Sequence, residues 1–379
     1  MESTYQTAAQ AAAGQEAPPA RAAADSFACP GCGARMAFDP DTQSLLCAQC
    51  GRTVPVPAPE LEAPEYLYNP ETDEYSAPDW NAAGQRTVAC TGCGAKMVVD
   101  GASLTARCPF CGGHYVVQQD AETRGILPET MMPFRISRPK AEGIFRQWVK
   151  KRFWAPGDFR RTVTLPDGLS GVYLPFWTYD VWLDTAYRGE GGRRYTVTRT
   201  RTVNGRRQTY TVTEVRWYPI SGADSLAFDD RSACASRAVE PALLQKLGAF
   251  STKVLRRYHP AYLAGFGARR YDLGLGEGFA QVRPGMERDM QNKIERDCGY
   301  DCYRGMQYSH RFSNVRFKHI LLPVWMAAYP YKNKVYRFLI NGETGRTAGK
   351  SPVSPLKVLL AAGIGLLAAA LLFLLWRLL

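Results

Sequence analysis

The sequence predicts an α+β protein with one C-terminal membrane helix. Three observations lead there: four Cys-x-x-Cys pairs in the first third of the chain, alternating polar and apolar stretches around turn signals, and an uncharged apolar run near the end. The 379 residues suffice for two or three folded units, and 46% hydrophobic residues permit a sizeable core. The expected architecture is two four-cysteine ribbons, a mixed β-rich body of two related β units with packed helices, and a single transmembrane helix.

The cysteines come first because they are the most specific signal. Cys29 and Cys32 are followed, after fourteen residues, by Cys47 and Cys50; Cys90 and Cys93 are followed at the same distance by Cys108 and Cys111. A two-residue gap lets one tight turn aim both sulfurs inward, and glycine after the second cysteine of each pair (Gly33, Gly51, Gly94, Gly112) frees the backbone where that turn closes. Four thiolates at tetrahedral corners, about 2.3 Å from the metal, are a structural zinc set. Four-thiolate iron is the competing occupant; the ribbon spacing favours zinc. Two structural Zn2+ ions are therefore expected, on Cys29, Cys32, Cys47, Cys50 and on Cys90, Cys93, Cys108, Cys111, with no open corner for catalysis. The quartets repeat at an offset of 61 residues, together with Gly31/Gly92, Ala34/Ala95, Met36/Met97 and Asp39/Asp100. Cys234, Cys298 and Cys302 read as ordinary thiols.

Residues 1–26 read as a disordered tail without an apolar signal region, which together with the cysteine spacing points to a reducing compartment. Residues 27–53 form ribbon 1. The Pro-rich segment 54–86 has seven acidic side chains and no Lys or Arg before Arg86, the composition of a linker. Its Tyr66, Tyr68, Tyr75 and Trp80 leave room for a docking peptide. Residues 87–118 form ribbon 2, and residues 126–352 the α+β body. In the body a helix is expected over 138–154, capped by Ser137 with Pro139 in its first turn. Its stripe of Ile144, Phe145, Trp148, Val149 and Phe153 faces the core, the alternative being a membrane surface. Strands are expected within 171–218, with Asn204-Gly205 as the hairpin turn between 195–203 and 208–217. A partly helical stretch follows over about 230–310, where Pro284 opens a helix bearing Met286, Met290 and Ile294. Strands return over 320–349. Leu174-Pro175-Phe176-Trp177 recurs as Leu322-Pro323-Val324-Trp325, each expected to open a β stretch.

Residues 358–376 carry no charged side chain; at 1.5 Å per residue they span about 28 Å, near the thickness of a hydrocarbon core. Lys357 and Arg377 bracket the run and Trp376 suits an interface. Arg346, Lys350 and Lys357 precede it and only Arg377 follows, so the positive-inside rule keeps the bulk of the chain cytoplasmic.

The formal charge is +12; eight thiolates remove eight and two dications restore four, leaving about +8. Such a surface suits anionic lipid or nucleic acid. Arg188, Arg193, Arg194, Arg199, Arg201, Arg206 and Arg207 concentrate this charge around the hairpin, with solvent, anionic lipid and nucleic acid as its possible surroundings. GETGRTAGKS at 342–351 lacks the first glycine of a phosphate loop and precedes Pro352, so no nucleotide-binding helix opens there. Four scattered histidines complete no catalytic constellation. The chain reads as non-enzymatic.

The stretches GVYLPFWTYDVWLDTAYRGE, RRYHPAYLAGFGARRYDLGL and KHILLPVWMAAYPYKNKVYRFLINGETGRTAGKSPVSPLK, with the quartets, resemble a bacterial family of zinc-ribbon proteins with a terminal membrane span. Its members are often labelled primosomal replication-factor or helicase-like proteins; this sequence lacks a helicase's ATP-binding loop. Some such genes lie beside those for flotillin-like (SPFH-domain) and phage-shock-type membrane proteins. The resemblance thus implies an adaptor recruiting protein partners to the cytoplasmic membrane face, in membrane maintenance, with zinc on the eight paired cysteines. A membrane-tethered nucleic-acid-binding protein is the alternative.

Overall fold

The computed structural model describes residues 27–56, 64–76, 80–81, 86–90, 95–99, 105–107, 110, 114–116, 118–119, 124–159, 169–203, 206–331 and 334–378. It is a mixed, strand-rich fold with four α-helices among the described residues.

The N-terminal third holds short strands. β1 (Met36–Asp39), β2 (Ser44–Cys47) and β3 (Thr53–Pro55) make an antiparallel sheet around the first cysteine quartet. β4 (Tyr66–Asn69), β5 (Glu74–Tyr75) and β6 (Trp80–Asn81) follow. Around the second quartet come β7 (Arg86–Ala89), β8 (Lys96–Val99), β9 (Thr105–Arg107) and β10 (His114–Val116), then β11 (Gln118–Gln119), β12 (Arg124–Gly125) and β13 (Thr130–Met131). The repeat seen in the sequence is a repeat of register. Ser44↔Pro55, Leu45↔Val54 and Leu46↔Thr53 pair β2 with β3; sixty-one residues on, Thr105↔Val116, Ala106↔Tyr115 and Arg107↔His114 pair β9 with β10. The bridge Ala28↔Arg35 likewise becomes Ala89↔Lys96.

The body is α1 (Arg138–Lys150), β14 (Leu169–Val203), β15 (Arg206–Cys234), α2 (Pro241–Leu247), β16 (Arg256–Arg257), β17 (Gly267–Arg269), α3 (Leu275–Cys298), β18 (Cys302–Tyr331), β19 (Lys334–Asn341) and β20 (Thr347–Gly349); α4 (Pro355–Leu378) closes the chain. β14 lies between β15 and β18, antiparallel to both. The hairpin between β14 and β15 is where the Asn-Gly signal put it, with Val203↔Arg206 closing it; the turn residues lie outside those described. The strands run much further than alternation suggested, to Leu169 at one end and Cys234 at the other. Beyond Gly192↔Cys302, β18 stops and β14 with β15 continue as a two-stranded arm.

The two Leu-Pro-x-Trp segments face each other across the β14–β18 seam: Tyr173↔Pro323, Leu174↔Leu322 and Pro175↔Leu321. They do not open their strands, as expected from sequence, but lie inside them. A proline inside a sheet removes a ladder donor. Each one here sits where a flanking strand has ended. The Pro175 carbonyl accepts from the Ala235 amide just past β15, and that of Pro323 from the Gly342 amide just past β19, both at 2.9 Å. The tryptophans match as well: Trp177 Nε1 donates to Leu273 O and Trp325 Nε1 to Ile136 O, again at 2.9 Å. The two β units are thus one sheet with an approximate twofold at the Leu174/Leu322 pair.

Alternation sorts the core by face. Tyr173, Leu321 and Trp325 point to one face, where they meet Phe145 and Trp148 of α1 and Met36, Phe38 and Leu45 of the first cysteine unit. Leu174, Leu322 and Val324 point to the other, against Leu243 and Leu247 of α2 and Cys90, Ala95 and Phe110 of the second unit. Further along, α3 lays Phe279, Met286, Met290 and Ile294 on Trp177, Tyr179, Val181 and Phe317.

Three local expectations change. Pro284 does not open α3 but lies inside it; the helix begins after Gly274, whose amide donates to Glu277 Oε2 at 3.0 Å. Pro284 and Ala280, whose carbonyl the missing N–H would have met, are both exposed, so water can satisfy that oxygen. α1 ends at Lys150, four residues short of the expected 154. Phe145, Trp148 and Val149 are buried, whereas Phe153 lies past the helix end and is 66% exposed. The acidic segment 54–86 is more than a spacer: β4 pairs with β18 through Leu67↔Arg316 and Tyr66↔Phe317, and Tyr68 is buried.

Two glycines of α3 give opposite expectations. A Cβ on Gly278 would sit 2.5 Å from Tyr179 Oη and 2.7 Å from Trp177 Cδ1, whereas one on Gly285 meets nothing within 4 Å. Gly278→Ala should destabilise by about 1–3 kcal/mol and Gly285→Ala should stabilise by about 0.5–1 kcal/mol, read as opposite shifts of the urea midpoint. His319, opposite Trp177 on the seam, is buried and holds Ile126 O at 2.8 Å through Nδ1. Burial disfavours its imidazolium and pushes its pKa down to about 4. A depressed pKa gives stability present above the unfolded value near 6.5 and lost as pH falls towards 4. About 3 kcal/mol should disappear over that window, and His319→Gln should remove that part of the slope in unfolding titrations.

Candidate metal centre

The sequence puts Cys29 and Cys47 at equivalent places in two similar turns. The Gly33 amide donates to Cys29 O at 2.8 Å and the Gly51 amide to Cys47 O at 2.9 Å. The Cys29 amide returns to Ala34 O at 2.7 Å, and that of Cys47 to Arg52 O at 2.9 Å. Gly33 and Gly51 take φ of 71° and 73°, the left-handed region that closes each turn without a Cβ clash. The four sulfurs all lie within 4.8 Å of one another. Cys29 Sγ to Cys50 Sγ and Cys32 Sγ to Cys47 Sγ are each 3.5 Å, too long for a disulfide. A tetrahedron with metal–sulfur distances of about 2.3 Å has edges of about 3.8 Å, so the donor set fits a thiophilic cation in both identity and spacing.

Electrostatics agree with that fit. The Gly31 amide, 3.4 Å from Cys29 Sγ, is the main influence holding this thiol down to about 6. The Cys50 amide lowers Cys47. The Ala34 amide favours the Cys32 thiolate too, but the Cys47 and Cys50 sulfurs outweigh it and push Cys32 up to about 12. Sulfurs this close cannot all carry charge unless a cation lies between them. Cys29 and Cys47 are buried against the body and Cys32 and Cys50 are exposed, so the cluster lies at a surface.

Of the second quartet, Cys90 is described: it is buried, and its amide donates to Ala95 O at 3.0 Å, as that of Cys29 does to Ala34 O. Cys93, Cys108 and Cys111 lie outside the described residues. The remaining cysteines stand apart: Cys298 Sγ is 3.5 Å from Tyr187 Oη, and Cys302 Sγ is 3.8 Å from Gly192 O.

One polar cluster was not anticipated. Lys318, nearly buried within β18, reaches Glu65 at 3.0 Å, Asp230 at 3.1 Å and Asp180 at 3.8 Å. Nothing local marks it in the sequence, because the same strand also carries Arg304, Arg311 and Arg316. Burial works against the charge of Lys318, yet Glu65 and the two aspartates hold its ammonium above the ordinary lysine range. Burial and then Glu65 push Asp180 up to about 7, against the Asp230 amide and Lys318. Asp180, Asp229 and Asp230 approach one another closely, beside an open cleft of about 540 Å³ lined by Phe228, Asp229, Asp230, Arg231 and Gln281. Lys318 already supplies Asp180 and Asp230 of this group with a cation.

The arm orders its arginines. The register Arg193↔Arg216, Tyr195↔Glu214, Arg199↔Tyr210, Arg201↔Gln208 and Val203↔Arg206 places Arg193, Arg199, Arg201, Arg206 and Arg216 on one face with Tyr195 and Tyr210. Arg216 lies over the Tyr195 ring at 5.3 Å and Arg201 over Tyr210 at 5.4 Å. The opposite face carries threonines, with Thr196↔Thr213, Thr198↔Thr211 and Thr200↔Thr209 opposed. Arg194 and Arg207, paired with Val215 and Thr202, fall on that threonine face, so the charge is divided between the two faces.

α4 is long and apolar enough to cross a membrane, and its apolar window is 0% buried against the rest of the chain. Its start is tied to the segment after α1: the Ser354 amide donates to Trp154 O at 2.8 Å, and Lys357 Nζ to Phe153 O and Ala155 O at 2.8 and 2.7 Å.

No family model matches the chain, and no solved structure does. The chain is similar to the uncharacterized protein YdjG of Bacillus subtilis (strain 168), at 29% identity over 334 residues that cover 88% of this chain and 92% of that one.

Proposed function

We propose that this chain is a non-enzymatic, single-span membrane adaptor whose two zinc ribbons present a surface for a protein partner at the cytoplasmic face. The observation that carries the reading is the closed sulfur cluster of Cys29, Cys32, Cys47 and Cys50 on a body that ends in an exposed apolar helix. Four protein thiolates would fill every corner around zinc, so the metal would supply folding energy and shape rather than a reactive position. The repeated register of β2–β3 in β9–β10 supports a second zinc on Cys90, Cys93, Cys108 and Cys111. The resemblance to bacterial zinc-ribbon membrane proteins suggests partners of the SPFH-domain or phage-shock type and a part in membrane maintenance. The excess of basic residues before α4 supports a cytoplasmic body.

The full chain purified in mild detergent should contain about two zinc ions, and the pair Cys32→Ser/Cys50→Ser should remove one of them. The same variant should lose a protein co-purifying with the wild type from native membranes. A folded chain without metal, or an unchanged set of co-purifying proteins, would reject the adaptor.

The arm supports a second reading, nucleic-acid binding, because one face joins five arginines to two tyrosines. Phosphates would meet the guanidinium groups and bases would stack on the rings. If so, the full chain in detergent should bind single-stranded DNA or RNA with log affinity falling steeply against log salt. Arg199→Gln/Arg201→Gln should reduce that slope by about 1–2. No binding at low salt would eliminate this reading.

A further inference from the structure

α1 buries its apolar stripe, then ends, and the chain presents two aromatic rings to the outside. Phe153 is 66% exposed and Trp154 46%, set edge to face with ring centroids 5.4 Å apart. What sets this pair apart from other exposed rings, such as Trp182 and Tyr75, is its neighbours. Trp154 O takes the Ser354 amide, and Phe153 O and Ala155 O both take Lys357 Nζ, so three consecutive residues are bound to the chain at the start of α4. The Lys357 ammonium also lies 5.5 Å from the Phe153 ring centre. The uncharged run begins at the next residue, Val358. The aromatic pair is therefore held at the level where the chain would pass from water into hydrocarbon. Leu356 and Val353, 66% and 59% exposed, extend the same apolar surface, and exposed Lys150 and Lys151 flank it.

We infer that Phe153 and Trp154 form a second membrane contact, a wedge seated in the interfacial zone of the leaflet that α4 enters. The occupant of this surface is a lipid bilayer because the patch is continuous with the start of the apolar helix and hydrogen-bonded to it. Aromatic rings favour the headgroup boundary, where their apolar body leaves water while the indole N–H stays solvated, and flanking lysines favour anionic headgroups. A single helix would let the body swivel. A wedge tied to its first turn fixes the face of the body that lies on the membrane. The inference rests on α4 spanning the bilayer and adds an orientation to it.

The test uses the full chain in phosphatidylcholine–phosphatidylglycerol vesicles brominated at shallow acyl positions, with tryptophan emission as readout. Of the eight tryptophans, Trp154 and Trp376 are expected to be quenched, Trp376 by the far boundary of the span. Trp154→Phe and Trp376→Phe should each remove about half of the quenchable emission, since both residues sit at an interface. If Trp376→Phe lowers quenching and Trp154→Phe leaves it as in the wild type, the wedge is overturned and the anchor stands. If vesicles quench neither residue, the anchor reading falls and the wedge with it.

Discussion

The antiparallel pairing of Leu174 with Leu322 is the constraint around which the described structure is arranged. It brings together two segments of similar sequence from distant parts of the chain, and each carries a proline that a central strand would normally reject. The solution is shared. β15 stops at Cys234 and β19 at Asn341, each one residue before it would need the proline's missing N–H, and the freed carbonyls take the amides of Ala235 and Gly342. The two tryptophans then tie the seam to surrounding loops through Leu273 O and Ile136 O. A change that disrupts either proline–strand-end arrangement should therefore disturb both faces of the sheet.

Those faces explain why the chain carries two cysteine units of the same pattern. Side chains of successive residues leave the seam in opposite directions, and each face needs cover. The first unit with α1 covers one face, and the second with α2 covers the other. Cys29, Cys47 and Cys90 belong to these cores, so a metal held by the thiolates would brace the body as well as its own loop. Cys32 and Cys50 remain at the surface.

Polar groups follow the same economy. Lys318, buried in the middle of β18, is tolerated because Glu65, Asp180 and Asp230 converge on it from three other parts of the chain. Glu65 arrives on the acidic segment whose composition resembles a spacer, and this ion group, with Tyr68 packed on Phe279 and Phe317, docks that segment to the body. On the arm, one face groups Arg193, Arg199, Arg201, Arg206 and Arg216 with two tyrosines, while the other carries opposed threonine pairs with Arg194 and Arg207.

The sequence by itself determined what depends on neighbours along the chain. Two-residue gaps and following glycines located the Cys29–Cys50 cluster, Asn204-Gly205 located the hairpin, and an uninterrupted apolar run located α4. Turn geometry, strand period and hydrocarbon thickness are local rules that a single sequence obeys. Only the tertiary structure decided what depends on residues far apart. It placed the Leu-Pro-x-Trp segments opposite each other inside their strands, assembled Lys318 with its carboxylates, and bound Lys357 to Phe153 and Ala155. It also let Pro284 stand inside α3, since the exposed carbonyl it frees can turn to water. Pairing partners, burial and the start of a helix held by packing depend on distant contacts, which no local pattern records.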